Sequence, residues 1–110
     1  MPTYMWQASY TAESWAAQVK NPQNRVDSIG RAACAAAGGK YIGGWYCFGD
    51  HDLVVIAEMP DHASMSGLVL GLTQGGAVKS GKTTVLMSGE EAVAGMRKAA
   101  EVAKGYTPAR

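Results

Sequence analysis

The chain opens with an alternation of aromatic and polar side chains that is typical of a β-strand. Every second position between Thr3 and Tyr10 falls on one face, which carries Tyr4, Trp6, Ala8 and Tyr10. A period of two is the period of a strand, and aromatic residues favour strands. Thr11 then supplies an N-cap for a short helix, which Asn21-Pro22 interrupts because proline lacks an amide donor.

The pattern changes to helical spacing and then back to strands. A second helix is predicted from an apolar stripe that ends before Gly38-Gly39 and consists of Val26, Ile29, Ala33 and Ala36. Lys40 to Phe48 forms a second strand, with a bulge expected at Gly43-Gly44. Leu53 to Met59 is almost continuously apolar, which favours a central strand with both faces covered.

The next two elements follow from a capping residue and an apolar run. Asp61 is expected to cap a helix that ends at Gly75-Gly76 and whose stripe consists of Met65, Leu68, Val69 and Leu72. Val78 to Met87 is predicted to be the fourth strand.

The C-terminal part predicts one more helix. Ser88 and Glu91 have the spacing of a capping box. We expect Val93, Met96 and Ala100 to face inward from this helix, which ends near Gly105. Residues 1–105 therefore form one domain, and the polar residues 106–110 form a flexible tail.

The order β-α-β-β-α-β followed by a helix indicates the ferredoxin-like α+β fold. This fold has a four-stranded antiparallel sheet with its two main helices on one face. Its other face is bare in a single copy, and pairing two such faces covers both sheets. We therefore expect a homodimer or a higher assembly of this chain.

Composition narrows the classes of partner. The 110 residues are 47% hydrophobic and carry a formal net charge of +1, with charges scattered along the chain. No basic stripe can follow a phosphate backbone, so nucleic acid is not expected as a partner. No run approaches the about 18 apolar residues of a membrane span, and no signal peptide is apparent. We expect a cytoplasmic protein with reduced thiols and no membrane association.

Three stretches resemble a known family. They are Pro2-Thr3-Tyr4, Trp45-Tyr46-Cys47-Phe48-Gly49, and Asp52 to Asp61 (DLVVIAEMPD). The chain resembles the GYD-domain family of small bacterial proteins from its start to about Leu86. The resemblance implies a ferredoxin-like fold of the dimeric α+β-barrel kind and leaves the chemistry open. His51 stands where the family usually carries tyrosine, and Gly44 where it usually carries a large residue.

His51 and Asp52 are the candidate catalytic residues. A carboxylate from Asp52 or Asp50 beside His51 would orient the imidazole as a general acid/base or as a metal ligand. The alternative is a solvated turn in which both aspartates make capping bonds. His62 is a second candidate ligand for haem or a metal ion, because related haem-binding barrels tend to place a histidine in this region.

A set of large apolar side chains suits a planar or aromatic small molecule. Its members are Tyr4, Trp6, Trp15, Trp45, Tyr46 and Met59. Phenol and indole groups combine an apolar body with a hydrogen-bonding end, as a ligand pocket requires. Packing in the core and in a dimer is the alternative role for these residues.

Residues 76–83 match the phosphate-loop pattern G-x-x-x-x-G-K-[ST]. That chemistry needs a strand before the loop and a helix after it. Here the predicted order is helix, then loop, then strand, so a nucleotide cofactor is not expected.

Two classes of function remain open at this level. One is a homodimer with a pocket between sheet and helices, either simply binding a small molecule or acting as an enzyme through His51. The other is a non-catalytic module that senses a metabolite or serves only for assembly.

Overall fold

The computed structural model describes residues 1–110, and the predicted elements are all present. In chain order they are β1 Thr3–Tyr10, α1 Ala12–Lys20, α2 Arg25–Ala36, β2 Lys40–Tyr46, β3 Leu53–Glu58, α3 His62–Thr73, β4 Val78–Leu86 and α4 Gly89–Lys104. None of the helices combines the length and the apolar character needed to cross a membrane.

The expected helix caps are confirmed. The Thr11 hydroxyl accepts from the amide of Ser14 at 3.2 Å, and the Asp61 carboxylate accepts from the amide of Ser64 at 2.8 Å. Both bonds satisfy amide donors that the first helical turn leaves free. Ser88 and Glu91 form the complete capping box at the start of α4.

The four strands form one antiparallel sheet in the order β2-β3-β1-β4. This is the strand order of the ferredoxin-like fold, so the predicted fold class is confirmed. β1 is central and pairs with β3 on one side and β4 on the other. Its even-numbered side chains lie on the face that α2 and α3 cover, and they form the centre of the core with residues of β3 and both helices.

The residues that follow Gly75-Gly76 lie in a strand and not in a phosphate loop. Val78 starts β4, and Gly81, Lys82 and Thr83 pair with β1 in the sheet. The backbone amides of a strand paired on this side do not converge on a phosphate.

Three local expectations are corrected. The irregularity in β2 lies between Tyr41 and Gly43, one residue earlier than the glycine pair, so Ile42 is the extra residue. β2 ends at Tyr46 and not at Phe48, because the chain turns there towards β3. Only one face of β3 is covered within this chain, since Val54 and Ile56 alternate with fully buried neighbours and stay partly exposed.

The inward orientation predicted for the last helix is wrong in this chain. α4 has no buried residue, and Val93 and Met96 are 43% and 68% exposed. Ala100 is exposed as well. The physical reason is that α2 and α3 already fill the helix side of the sheet, so α4 finds no free apolar surface there. α4 therefore presents an unpartnered apolar stripe.

Candidate functional site

A cavity lies between the sheet, α2 and the end of α3. It has a volume of about 120 Å³, and nine of the twelve residues around it are hydrophobic. Trp6 and Val55 supply its sheet wall, Val26 and Ile29 its α2 wall, and Leu72 its α3 wall. We call this space the inner cavity. Its position is the one that the sequence analysis expected for a ligand pocket.

The Trp6 side chain contributes an unpaired hydrogen-bond donor to this region. Trp6 is 2% exposed, and its Nε1 is buried without a hydrogen-bond partner. Buried donors almost always have an acceptor, and leaving one unpaired costs about 1–3 kcal/mol. The indole fits because Gly81 on β4 has no side chain, since a Cβ there would lie 2.8 Å from Nε1.

Polar groups gather where the inner cavity opens. Tyr10, Ser14 and Arg25 line its mouth, and Ser14, Arg25 and Ala77 also line a second, polar space of about 460 Å³. We call this second space the outer cavity. Burial raises the pKa of the Tyr10 phenol, and the positive charge of Arg25 opposes that increase.

The turn between β2 and β3 is anchored by Asp52. One oxygen of its carboxylate, Oδ2, accepts from the backbone amide of Tyr10 at 2.9 Å and from Nε1 of Trp15 at 3.2 Å. The first donor lies at the end of β1, and the second lies in α1. Asp52 therefore ties the hairpin to the start of the chain, and its carboxylate makes no hydrogen bond to His51.

His51 lies in this turn, is partly exposed and takes part in no hydrogen bond. Beside the turn, Trp15, Tyr46, Cys47, Phe48 and Asp52 line an open hollow of about 780 Å³. The rings of Trp15 and Tyr46 have centroids 6.4 Å apart. Two of the predicted ligand-binding aromatics thus lie together, next to the candidate catalytic residues.

His62 occupies the opposite end of the sheet. Its Nδ1 lies 2.7 Å from the Tyr4 hydroxyl, and the two rings meet edge to face. The pair borders a groove of about 330 Å³ between α3 and β4, which we call the His62 groove and whose apolar wall includes Met65, Val69 and Val85. When Nδ1 carries the proton and donates to the Tyr4 oxygen, this contact fixes the imidazole, and Nε2 presents its lone pair to a ligand.

The two histidines cannot serve one site. His51 precedes β3 and His62 follows it, so the length of that strand, Leu53–Glu58, separates them. No group of three or more His, Cys, Asp or Glu side chains is close enough to hold a metal ion.

The remaining predicted ligand residues lie elsewhere. Met59 is fully buried in the core, and Trp45 is 57% exposed on the sheet face that no helix covers. There its ring lies over Gly43, where a Cβ would come within 3.0 Å of it. The six side chains of the predicted set are therefore distributed over the inner cavity, the hairpin hollow, the His62 groove, the core and the free sheet face.

Sequence reasoning missed Arg25 as a site residue. It begins α2 directly after the Pro22 loop, and nothing in its local sequence distinguishes it from the other arginines. Its place between two cavities depends on how α1, α2 and the loop before β4 pack together.

The sheet order and the placement of the helices define an α+β protein of the ferredoxin-like class. The sequence matches the family described as "GYD domain" over residues 4–95, and the chain belongs to this family. The match extends beyond Leu86 to Gly95 and therefore includes the first part of α4. No curated protein matches the chain.

Solved structures of low sequence identity share the fold. The structure of MtbAldR gives a TM-score of 0.60 at 13% identity, with 79% of this chain and 52% of that chain covered. FFRP-DM1 gives 0.52 at 11% identity, covering 79% of this chain and 100% of that one. A hypothetical protein from Pyrococcus horikoshii gives 0.51 at 12% identity, covering 80% and 92%. The chain thus corresponds to about half of MtbAldR.

Proposed function

We propose that this protein binds a small, mainly apolar molecule in the inner cavity and acts as a sensing or binding module. The observation that carries the proposal is the apolar cavity whose wall includes Trp6, a residue whose buried Nε1 packs beside Gly81 and has no acceptor. A ligand with an apolar body and one acceptor atom would satisfy that donor and fill the space. The family and fold are compatible with such a module.

Cyclohexanone is a suitable first probe, because it is an apolar ring with one carbonyl acceptor. Cyclohexane is its matched control without the acceptor. In ¹⁵N-labelled protein the three tryptophans give three indole signals, and Trp6→Phe identifies that of Trp6. We expect cyclohexanone to move the Trp6 signal downfield and cyclohexane not to do so.

Filling the cavity provides the second test. Ala77→Leu places extra volume at the mouth and should abolish the response to cyclohexanone, whereas Ala94→Leu on the exposed helix α4 should preserve it. An unchanged Trp6 signal in the unmodified protein at millimolar cyclohexanone would refute the proposal.

The free sheet face supports self-association. Val54 and Ile56 of β3 and Trp45 of β2 form a partly exposed apolar surface, and α4 presents a second one. Isolated monomers rarely leave such surfaces uncovered. We propose that two copies of the chain pair through these sheet faces, with α4 of each copy adding to the interface.

Light scattering coupled to gel filtration tests this pairing. We expect the unmodified chain to have at least twice the mass of the 11.5 kDa monomer. Ile56→Glu should give monomers, and Val19→Glu, at a 73% exposed position on α1, should not. A monomeric unmodified chain would contradict the pairing.

A haem-binding or catalytic role for His62 is the second candidate, favoured by the hydroxyl of Tyr4 at its Nδ1. Haem needs a single protein ligand, so the absence of a three-ligand cluster does not oppose it. An absorption spectrum after haem addition tests this role, with His62→Ala expected to lose the Soret band and His51→Ala to keep it. A band that instead depends on His51 would restore the sequence-based proposal for that residue.

His51 as an acid/base with Asp52 remains a proposal for the hairpin hollow. Oδ2 of Asp52 is engaged by Tyr10 and Trp15, so a catalytic role of His51 would use Oδ1 of Asp52 or the carboxylate of Asp50 as its partner. If His51→Ala and His62→Ala both leave ligand binding and assembly unchanged, the protein is best described as a non-catalytic module.

A further inference from the structure

We propose that the ligand of the inner cavity is a monocarboxylic acid whose carboxylate is bound by Arg25 at the cavity mouth. This rests on the proposed function, because it names the class of molecule that enters the same cavity. The inference combines two neighbouring spaces, which share Ser14, Arg25 and Ala77 in their walls, with the charge found between them.

Arg25 is an unpaired cation between these two spaces. It is an exposed residue that lines both the inner and the outer cavity, and its guanidinium donates no hydrogen bond to the protein. The chain's one salt bridge is Lys104 to Glu101 on α4, so neither Glu13 of the outer cavity nor any other carboxylate pairs with Arg25. A free guanidinium is suited to a carboxylate, which it binds with two parallel hydrogen bonds.

The residues around Arg25 favour a ligand that carries a single negative charge and is otherwise apolar. Arg25 is the only basic residue in the walls of both cavities, whereas a polyphosphate needs several cations. Tyr10 and Ser14 add hydroxyl groups beside it, and beyond them the wall becomes apolar up to Trp6. A molecule that spans these regions has an acidic end, an apolar ring or branched chain, and an acceptor near Trp6.

Two probes of equal shape test the charge. 4-Oxocyclohexanecarboxylate and 4-oxocyclohexanecarboxamide both carry a ring carbonyl as the acceptor for Trp6, and they differ in that an amide nitrogen replaces one carboxylate oxygen. Both are titrated while the Trp6 indole signal is followed. We expect the carboxylate to bind about tenfold more tightly, as is typical of a charge-assisted hydrogen bond over a neutral one. Arg25→Gln should remove that advantage, and Arg97→Gln on α4 should retain it.

The outcomes separate the two proposals. If both probes move the Trp6 signal with equal affinity, the cavity binds ligands but the assignment of Arg25 and of an acid is overturned. If neither probe nor cyclohexanone moves it, the proposed function itself fails. If the carboxylate is preferred but Arg25→Gln keeps the preference, another group binds the anion and this inference is wrong.

Discussion

The hydroxyl group of Tyr41 donates a hydrogen bond of 2.6 Å to Oδ1 of Asp27 and thereby joins the edge strand β2 to helix α2. The guanidinium of Arg31 lies 5.0 Å from the centre of the same ring. Burial and this hydrogen bond raise the pKa of Tyr41 to about 12, and bonds from Tyr41 and Asn24 lower the pKa of Asp27. The contact makes stability depend on pH at both ends of the scale.

At alkaline pH, ionisation of the Tyr41 phenol should reduce the stability of the fold. Its folded pKa of about 12 exceeds the ordinary value of 10.0, so its contribution is complete below pH 10 and disappears as pH rises through about 12. Chemical denaturation across this window should show the free energy of unfolding falling less steeply in Tyr41→Phe than in the unmodified chain. Equal slopes would show that the phenol does not carry the effect.

At acid pH, protonation of the Asp27 carboxylate should reduce the stability of the fold. Its folded pKa lies below 3.8, so its stabilising effect is present above that value and is lost as pH falls through the folded pKa. We expect Asp27→Asn to reduce the loss of stability below pH 4. Asp50→Asn, in the hairpin turn, is the matched control, and an identical response of the two variants would contradict the role of Asp27.

Glycine at position 44 allows α2 to approach the sheet closely. A Cβ there would lie 2.6 Å from Cγ1 of Val26 and would also meet the Tyr41 hydroxyl. We expect Gly44→Ala to destabilise the fold by about 1–3 kcal/mol, as overpacking does. Gly95→Ala on α4, with nothing within 4 Å, should instead stabilise by about 0.5–1 kcal/mol. Thermal denaturation of both variants measures these changes in stability. If Gly44→Ala leaves the stability unchanged, the close packing at this position is disproved.

The Asp52 carboxylate should matter for stability whatever its role in chemistry. Asp52→Ala removes the acceptor of the Tyr10 amide and of the Trp15 indole, which should cost about 1–3 kcal/mol. His51→Ala removes no hydrogen bond and should change stability by less than about 0.5 kcal/mol. Urea denaturation followed by tryptophan fluorescence measures both. Equal effects would show that Asp52 does not anchor the hairpin.

The two thiols should differ in reactivity. Cys34 is 1% exposed and burial raises its pKa, whereas Cys47 is partly exposed. Because the thiolate is the reactive form, a disulfide reagent should modify Cys47 quickly and Cys34 only when the protein unfolds. Cys47→Ala should therefore abolish the fast phase, and its persistence would place Cys34 in an open region.

Most of the fold follows from local signals in the sequence. The alternation from Thr3 to Tyr10, the caps at Thr11, Asp61 and Ser88, and the apolar run from Leu53 predict elements that the structure confirms. These signals are local because a cap or a periodic face needs only neighbouring residues. The order of the elements then restricts the topology to very few arrangements.

Only the tertiary structure decided where the chemistry-bearing side chains meet. Tyr4 pairs with His62, Asp52 with Trp15, and Arg25 lies between two cavities, although each of these partners is distant in sequence. Strand parity separates Trp45 from Tyr46, but Tyr4 and Trp6 share one face of β1 and still line different spaces because different parts of the helices pack over them. The outward orientation of α4 also depends on tertiary packing. An apolar stripe specifies that a helix needs a partner surface, and in this chain α2 and α3 already occupy the helix-covered face of the sheet.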